Sequence, residues 1–396
     1  MRDNRCRPGR YRGRRRRRAR PVRRGRRARR RVPRRPARAS YVAPHCSETL
    51  QHPTELWDAL VAGGFVGVNL PEEYGGGGMG LSAMNVVAEE AAAAGCPQIM
   101  LMISPGIVGS LLARHATHEQ KQQWLAPMAA GTLKIAFAIT EPDASSNSHQ
   151  LTTTARRDKY YISGQKTFIT AADRADALLV VARTGTDSRG RAQLSPLLVD
   201  RDTLGIDMHR IPMTFEITDK SFTVFFDNVA APADRLVLGE GNGLRVAFDG
   251  MNPERVIIAA ICNGVGRYAL DKAVTYARER QVRQVPIGAH QGVAHPLAEA
   301  KIALESARLM TRHAAESYDA GTDAGEASNM AKFLAADAAI RCVDQAIEVH
   351  GGSGFTREVA LASMYEFVRL FKTVPITREM ILNHIARHSL GLPKSY

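Results

Sequence analysis

A glycine run, a Glu–Arg pair and two histidines one helical turn apart are among the residues whose types and spacing can do chemistry. Gly351-Gly352-Ser353-Gly354 can bring backbone N–H groups close to a phosphate, because glycine tolerates the conformations that anion-binding nests require. The same glycines serve equally as plain turns. Glu254-Arg255 follows Asn252-Pro253. On residue types alone this is a helix start, with Asn252 as N-cap, Pro253 in the first turn and Glu254 as a favourable first-turn acid. His384 and His388 have the i,i+4 spacing of two metal ligands on one helix face, but no third ligand lies nearby and no metal is expected. Cys6, Cys46, Cys96, Cys262 and Cys342 form no C-x-x-C pair. That argues for a reduced compartment and against a disulfide framework or a thiolate zinc site.

The elements that must position these residues come in the order α, β, α. Leu56, Leu60, Val61 and Phe65 recur at helical spacing, and helices are expected over 81–94, 107–113 and 120–130, the last closed by Gly131. Ile135, Phe137 and Ile139 then alternate with small residues, the period of a strand. Further strands are expected at 160–163, 167–170, 178–182, 197–199 and 222–226, which suggests a barrel or sandwich. Helical periodicity returns from Gly243, with long amphipathic segments at 297–314 and 327–349. Helices segregated from a central β layer make this an α+β chain.

The 396 residues suffice for two or three domains. The net charge of +15 resembles a nucleic-acid signal until it is located. Met1 to Ser40 hold 21 of the 54 basic residues against a single acid, Asp3, so the rest of the chain is mildly acidic. A segment so rich in Arg, Ala, Pro and Gly cannot bury enough surface to fold alone. Three readings of it stand open: a polybasic arm for nucleic acid or anionic lipid, a solvated tail, or the product of a wrong start or frame in a GC-rich gene. Binding to nucleic acid is not expected of the remainder. No apolar run approaches a membrane span and the tail has no apolar core of a signal peptide, so a cytoplasmic location is expected.

Five segments, in order, resemble the acyl-CoA dehydrogenase family. They are Leu70-Pro71-Glu72-Glu73-Tyr74-Gly75-Gly76, Glu119-Gln120-Lys121, Thr140-Glu141-Pro142-Asp143-Ala144-Ser145-Ser146-Asn147, Gly164-Gln165-Lys166-Thr167-Phe168-Ile169-Thr170 and Gly351-Gly352-Ser353-Gly354. The resemblance runs from about Pro53 to Tyr396. It implies an N-terminal helical domain (41–133), a middle β-barrel domain (134–238) and a C-terminal four-helix bundle (239–396), after the tail at 1–40. It also implies FAD, an acyl-CoA substrate oxidised to the trans-2-enoyl-CoA, electron-transfer flavoprotein as electron acceptor, and a homodimer or homotetramer.

The same resemblance assigns roles. Ile139, Thr140, Phe168, Ile169 and Thr170 would grip the flavin. Arg280 and Gln291 would reach the FAD of a neighbouring subunit, with Gly351, Gly352, Gly354 and Thr377 completing the cofactor site. Most relatives carry the catalytic Glu near the C-terminus, where this chain has Pro375. The isovaleryl and long-chain types carry it on the long helix that opens the C-terminal domain, immediately before an Arg. Glu254 stands there, so it is the expected base, in a helix already running from about Gly243. Asn252 and Arg255 would face the CoA chain, and Ser146 would help hold it. Departures from the family pattern are Pro375, which has no N–H to offer the thioester oxygen, Arg283 in place of Phe, Glu348 in place of Gln, and Ser145 and Asn147 in place of Gly and Asp. They leave two alternatives: a non-catalytic acyl-CoA-binding paralogue, or a related flavoprotein oxidase or reductase.

Overall fold

The computed structural model describes residues 54–144, 150–156, 160–188, 190–215 and 219–394. The arginine-rich stretch and Ser145, Ser146 and Asn147 lie outside them. The N-terminal part is helical. α1 (Thr54–Ala62) turns Trp57 and Leu60 inward, and the Trp57 indole donates to Gly131 O at 3.0 Å. α2 (Gly80–Ala93) is followed by α3, a helical run over 99–115 that is longer than the expected 107–113. Its middle, Met102–Gly109, is a π-helix containing Pro105. Proline has no N–H for the α-helical ladder, which accounts for the widened turn. A Cβ on Gly106 would lie 2.5 Å from Ile257 Cδ1, so this glycine lets α3 settle directly on the long helix described below.

α4 (His118–Ala129) begins with a capping box in which Thr117 and Gln120 satisfy each other's backbone N–H groups. The Gln120 amide also donates to Asp234 O at 2.7 Å and Leu236 O at 2.9 Å, tying α4 to the end of the β region.

A curled seven-stranded sheet follows: β1 (Ile135–Ala138), β2 (Thr154–Arg156), β3 (Tyr161–Thr170), β4 (Ala177–Thr186), β5 (Ala192–Asp200), β6 (Ile206–Ile211) and β7 (Ser221–Ala230). The order is β1-β4-β2-β3-β7-β6, with β5 also on β4. The sequence reading divides β3 into two strands, and the structure corrects this. Lys166 pairs with Val224 and Ile169 with Phe222, so one extra residue bulges out without ending the strand. β2 and β6 escape the reading because one is three residues long and the other, Ile206-Asp207-Met208-His209-Arg210-Ile211, carries charge at alternate positions with no fully buried residue.

The C-terminal part is helical again. α5 (Gly243–Glu279) is one helix of 37 residues that passes through Pro253. The reading of Asn252 as a helix N-cap is therefore overturned. One missing N–H costs roughly 3 kcal/mol. It is offset by the complete burial of residues such as Val256, Ile257, Ala260, Ile261 and Val265 just beyond it. α6 (Gln291–Asp319), α7 (Gly325–His350), α8 (Leu361–Leu370) and α9 (Arg378–His388) complete the region. Ala273 on α5, Ala307 on α6 and Ala335 and Ala339 on α7 are all fully buried, so small side chains let the long helices pack closely. A two-residue hairpin, β8 (Gln281–Val282) and β9 (Val285–Pro286), links α5 to α6. Cys96, Cys262 and Cys342 are buried and form no disulfide with one another. No helix among the described residues is long and apolar enough to cross a membrane.

Candidate active site

Glu254 lies on α5 one turn after Gly250, where α3 presses close. It is deep in the protein and only partly exposed. Burial pushes its carboxyl up to about 7, against the opposing pull of Arg255 and Lys332. Arg255 is itself buried. Its Nη1 donates to Asn252 Oδ1 at 3.1 Å, and its Nε has no hydrogen-bond partner. The residues 252–255 thus form a compact polar group inside the protein, not an exposed helix start.

Across from α5, Lys332 on α7 is 1% exposed, and its Nζ donates to Ile376 O at 2.6 Å. That bond anchors the turn containing Pro375. Thr377 caps α9, its hydroxyl oxygen accepting from Met380 N at 3.3 Å. Pro375 and Ile376 are therefore pinned against α7, the helix that packs along α5.

A second group gathers at the bulge of β3. Phe168 sits there at φ 55 and is 56% exposed, an uncommon conformation for a bulky residue and an uncommon exposure for an aromatic one. The Ile169 side chain enters the β core, so only its backbone is available, while Thr170 stands 3.5 Å from the Ser221 hydroxyl. Thr140 accepts from Thr167 N at 2.9 Å through its carbonyl. Beneath them a buried ion pair, absent from the sequence reading, locks the two segments together. Lys166 Nζ reaches Glu141 Oε1 at 2.8 Å and Ile139 O at 3.0 Å, and Glu141 also accepts from Thr152 and Thr153. Burial alone would raise the Glu141 carboxyl, but Lys166 and the threonine donors outweigh it and hold it well below the usual carboxylate range.

The third group is at the far end of α5. Arg280 closes that helix and Gln291 opens α6, both exposed. Arg283 and Gln284 occupy the tip of the hairpin between them, at φ 52 and 68. Gly351 ends α7 at φ 57 and ψ −136, a conformation that requires glycine, and Gly351 and Gly352 border open space. Gly354 is buried instead, packed on Ile347. Tyr276 stacks on His350 with ring centroids 4.4 Å apart. Since Tyr276 lies one turn before Arg280 and His350 one residue before Gly351, this stack joins the arginine and the glycines at one end of the bundle. A cleft of about 380 Å³ adjoins it, lined in part by Tyr268, Lys272, Tyr276 and His350. His384 and His388 lie ring to ring at 4.5 Å on α9.

Family models of the acyl-CoA dehydrogenase N-terminal, middle and C-terminal domains match residues 27–132, 136–229 and 241–390. The chain belongs to the acyl-CoA dehydrogenase family. It is 49% identical over 350 residues to the acyl-CoA dehydrogenase FadE12 of Mycobacterium tuberculosis, covering 87% of this chain and 90% of that one. It is 32% identical over 344 residues to a 3-(aryl)acrylate reductase of Clostridium sporogenes, covering 86% and 91%. A glutaryl-CoA dehydrogenase of Mycobacterium smegmatis in complex with FADH2 superposes with a TM-score of 0.81 at 25% identity, covering 90% and 94%.

As an acyl-CoA dehydrogenase the chain is an FAD-dependent oxidoreductase of CH–CH bonds in acyl-CoA thioesters. Its residues fit the cofactor: an exposed aromatic on a strand bulge, and an open glycine turn joined to an exposed arginine. The sequence reading quoted Glu141 and Lys166 within two motifs without pairing them, and missed Lys332. Lys332 was findable, because Ser328, Ala331, Lys332, Ala335 and Ala339 share one buried helical stripe.

Proposed function

We propose that this dehydrogenase converts an acyl-CoA to the trans-2-enoyl-CoA with Glu254 as the base. The observation carrying this is the place of Glu254: a partly exposed carboxyl on α5, held near neutrality, that feels the charge of the same Lys332 that pins the turn at Pro375. A base works best when its pKa lies near the working pH. Glu254 would take the α-hydrogen as a proton, the electron pair of that C–H bond forming the new C=C bond as the β C–H bond breaks. FAD, when bound, supplies the two-electron acceptor for the β-hydride. Pro375 has no N–H, so the backbone N–H of Ile376 is the proposed donor to the thioester oxygen as negative charge develops on it. Asn252 and Arg255 are the proposed contacts to the CoA thioester, and the unpartnered Arg255 Nε supports that role.

Ile139, Thr140, Phe168, Ile169 and Thr170 are proposed to hold the flavin ring. Arg280, Gln291, Gly351, Gly352, Gly354 and Thr377 are proposed to hold the rest of FAD, with Arg280 and Gln291 serving a neighbouring subunit. Electron-transfer flavoprotein is the proposed electron acceptor. The 3-(aryl)acrylate reductase relative favours a second reading, reduction of an unsaturated acyl-CoA on the same residues.

Anaerobic absorbance titration of the holoenzyme with a panel of saturated and unsaturated acyl-CoAs tests both readings, beside Glu254→Gln. Dehydrogenation by Glu254 predicts flavin bleaching by a saturated acyl-CoA in the parent, slowed at least a hundredfold in the variant. Equal bleaching in both would place the base elsewhere. Reduced flavin reoxidised only by an unsaturated acyl-CoA would favour the reductive direction.

A further inference from the structure

Lysine is almost never fully buried unless its charge is matched, and Lys332 is buried with a backbone carbonyl as its hydrogen-bond acceptor. A carbonyl dipole satisfies one ammonium proton but does not neutralise the charge. Of the acids near it, Asp337 on α7 is already ion-paired with Lys372 and Arg378, and the one across the α5–α7 contact is Glu254. Building on the reading of Glu254 as the base, we infer that Lys332 is a positioning residue for proton abstraction: it clamps the turn carrying Ile376 and sets a positive charge beside the Glu254 carboxylate.

The two effects serve one step. The turn has lost a donor at Pro375, so the orientation of the adjoining Ile376 peptide decides whether a donor remains for the thioester oxygen. The bond from Lys332 to Ile376 O fixes that peptide against α7. The ammonium charge also opposes the burial that would otherwise hold Glu254 protonated at neutral pH, when it could take no proton from substrate. Other charged or titratable groups around the Glu254–Lys332 contact are Arg255 and Cys262 on α5 and Asp337 on α7, with His384 on α9 within reach of Arg255 and the Asp249–His115 pair joining α5 to α3.

Three substitutions separate charge from clamp. Lys332→Gln can still donate to Ile376 O but is neutral, Lys332→Arg keeps the charge, and Lys332→Met loses both. The readout is the rate of anaerobic flavin reduction by one saturated acyl-CoA across the neutral pH range, with its half-saturating concentration. For Lys332→Gln the midpoint of the pH profile is expected to move upward. The rate below the midpoint should fall roughly three- to tenfold while half-saturation changes little. Lys332→Arg should restore the midpoint, and Lys332→Met should be slower than Lys332→Gln even above it. A midpoint unchanged in Lys332→Gln overturns the charge role, and equal rates above the midpoint in the Gln and Met variants overturn the clamp. If Lys332→Met does not fold, the Gln and Arg variants still decide the charge role, and Lys332→Leu against Lys332→Gln decides the clamp. Failure of the underlying reading shows separately: Glu254→Gln would then bleach as fast as the parent, whatever Lys332 does.

Discussion

Glu141 and Glu254 are both carboxyls taken out of water, and their surroundings send them in opposite directions. Glu141 faces Lys166 and the donors of Thr152 and Thr153, so its folded pKa lies below the ordinary 4.5. Its contribution to stability is fully present above 4.5 and is lost as pH falls through the folded value. Glu254 has burial as its main influence, so its folded pKa of about 7 lies above 4.5. The folded state then binds the extra proton between those values, and stability falls as pH rises from 4.5 to about 7 before levelling. Glu254→Gln is accordingly expected to stabilise the protein above neutrality, on the order of 1–3 kcal/mol, and to change little below pH 4.5. Glu141→Gln leaves Lys166 buried without its counter-charge and should cost about 3–5 kcal/mol at neutral pH, with a smaller loss in acid. Urea denaturation of the parent and both variants at acidic and neutral pH checks the signs. A Glu254→Gln variant less stable than the parent above neutrality would mean that its carboxylate is a net structural asset.

At the scale of elements, the bulge in β3 illustrates what the sequence could and could not convey. Alternation identified the strand on either side of it, but an inserted residue shifts the period by one, and the reading split the strand. The long helices were legible because their apolar period persists over many turns. Only the family resemblance carried α5 through Pro253, since local residue types favour a start there. The candidate site was legible where chemistry and motif coincide, as at Glu254 and Gly351. It was not legible where a polar residue is buried for the sake of another, as with Glu141 and Lys166, because nothing local distinguishes such a pair from surface charge. The bulge also yields a prediction. Phe168 holds a left-handed conformation that glycine adopts freely, and its exposed ring adds little to the core. Phe168→Gly should therefore leave the apoprotein about as stable, or up to roughly 1 kcal/mol more so, while weakening FAD binding at least tenfold. Apoprotein denaturation and fluorescence titration with FAD measure the two effects. A large loss of stability with FAD affinity intact would make Phe168 a structural residue of the sheet.

At the scale of the molecule, the proposed flavin contacts other than Thr377, which caps α9, fall into two groups: one at the β3 bulge, the other where α5, α6 and α7 meet around Arg280, Gln291 and Gly351. If the second group serves a neighbour's flavin, association and cofactor binding must be linked, since a ligand that binds only the assembled form stabilises it by mass action. α6 presents Ile302 and Leu309, two turns apart, at 67% and 62% exposure. Exposed apolar residues on one helical face are suited to burial against another copy. Sedimentation of the parent should show a dimer or tetramer, and Ile302→Glu combined with Leu309→Glu should shift it toward smaller species. The helical circular dichroism should persist, because both side chains already lie outside the core. FAD content should fall with the loss of association and recover at high protein concentration. A variant that sediments as a monomer yet retains its full complement of FAD would show instead that one chain completes its own flavin site, and that Arg280 and Gln291 serve the subunit that carries them.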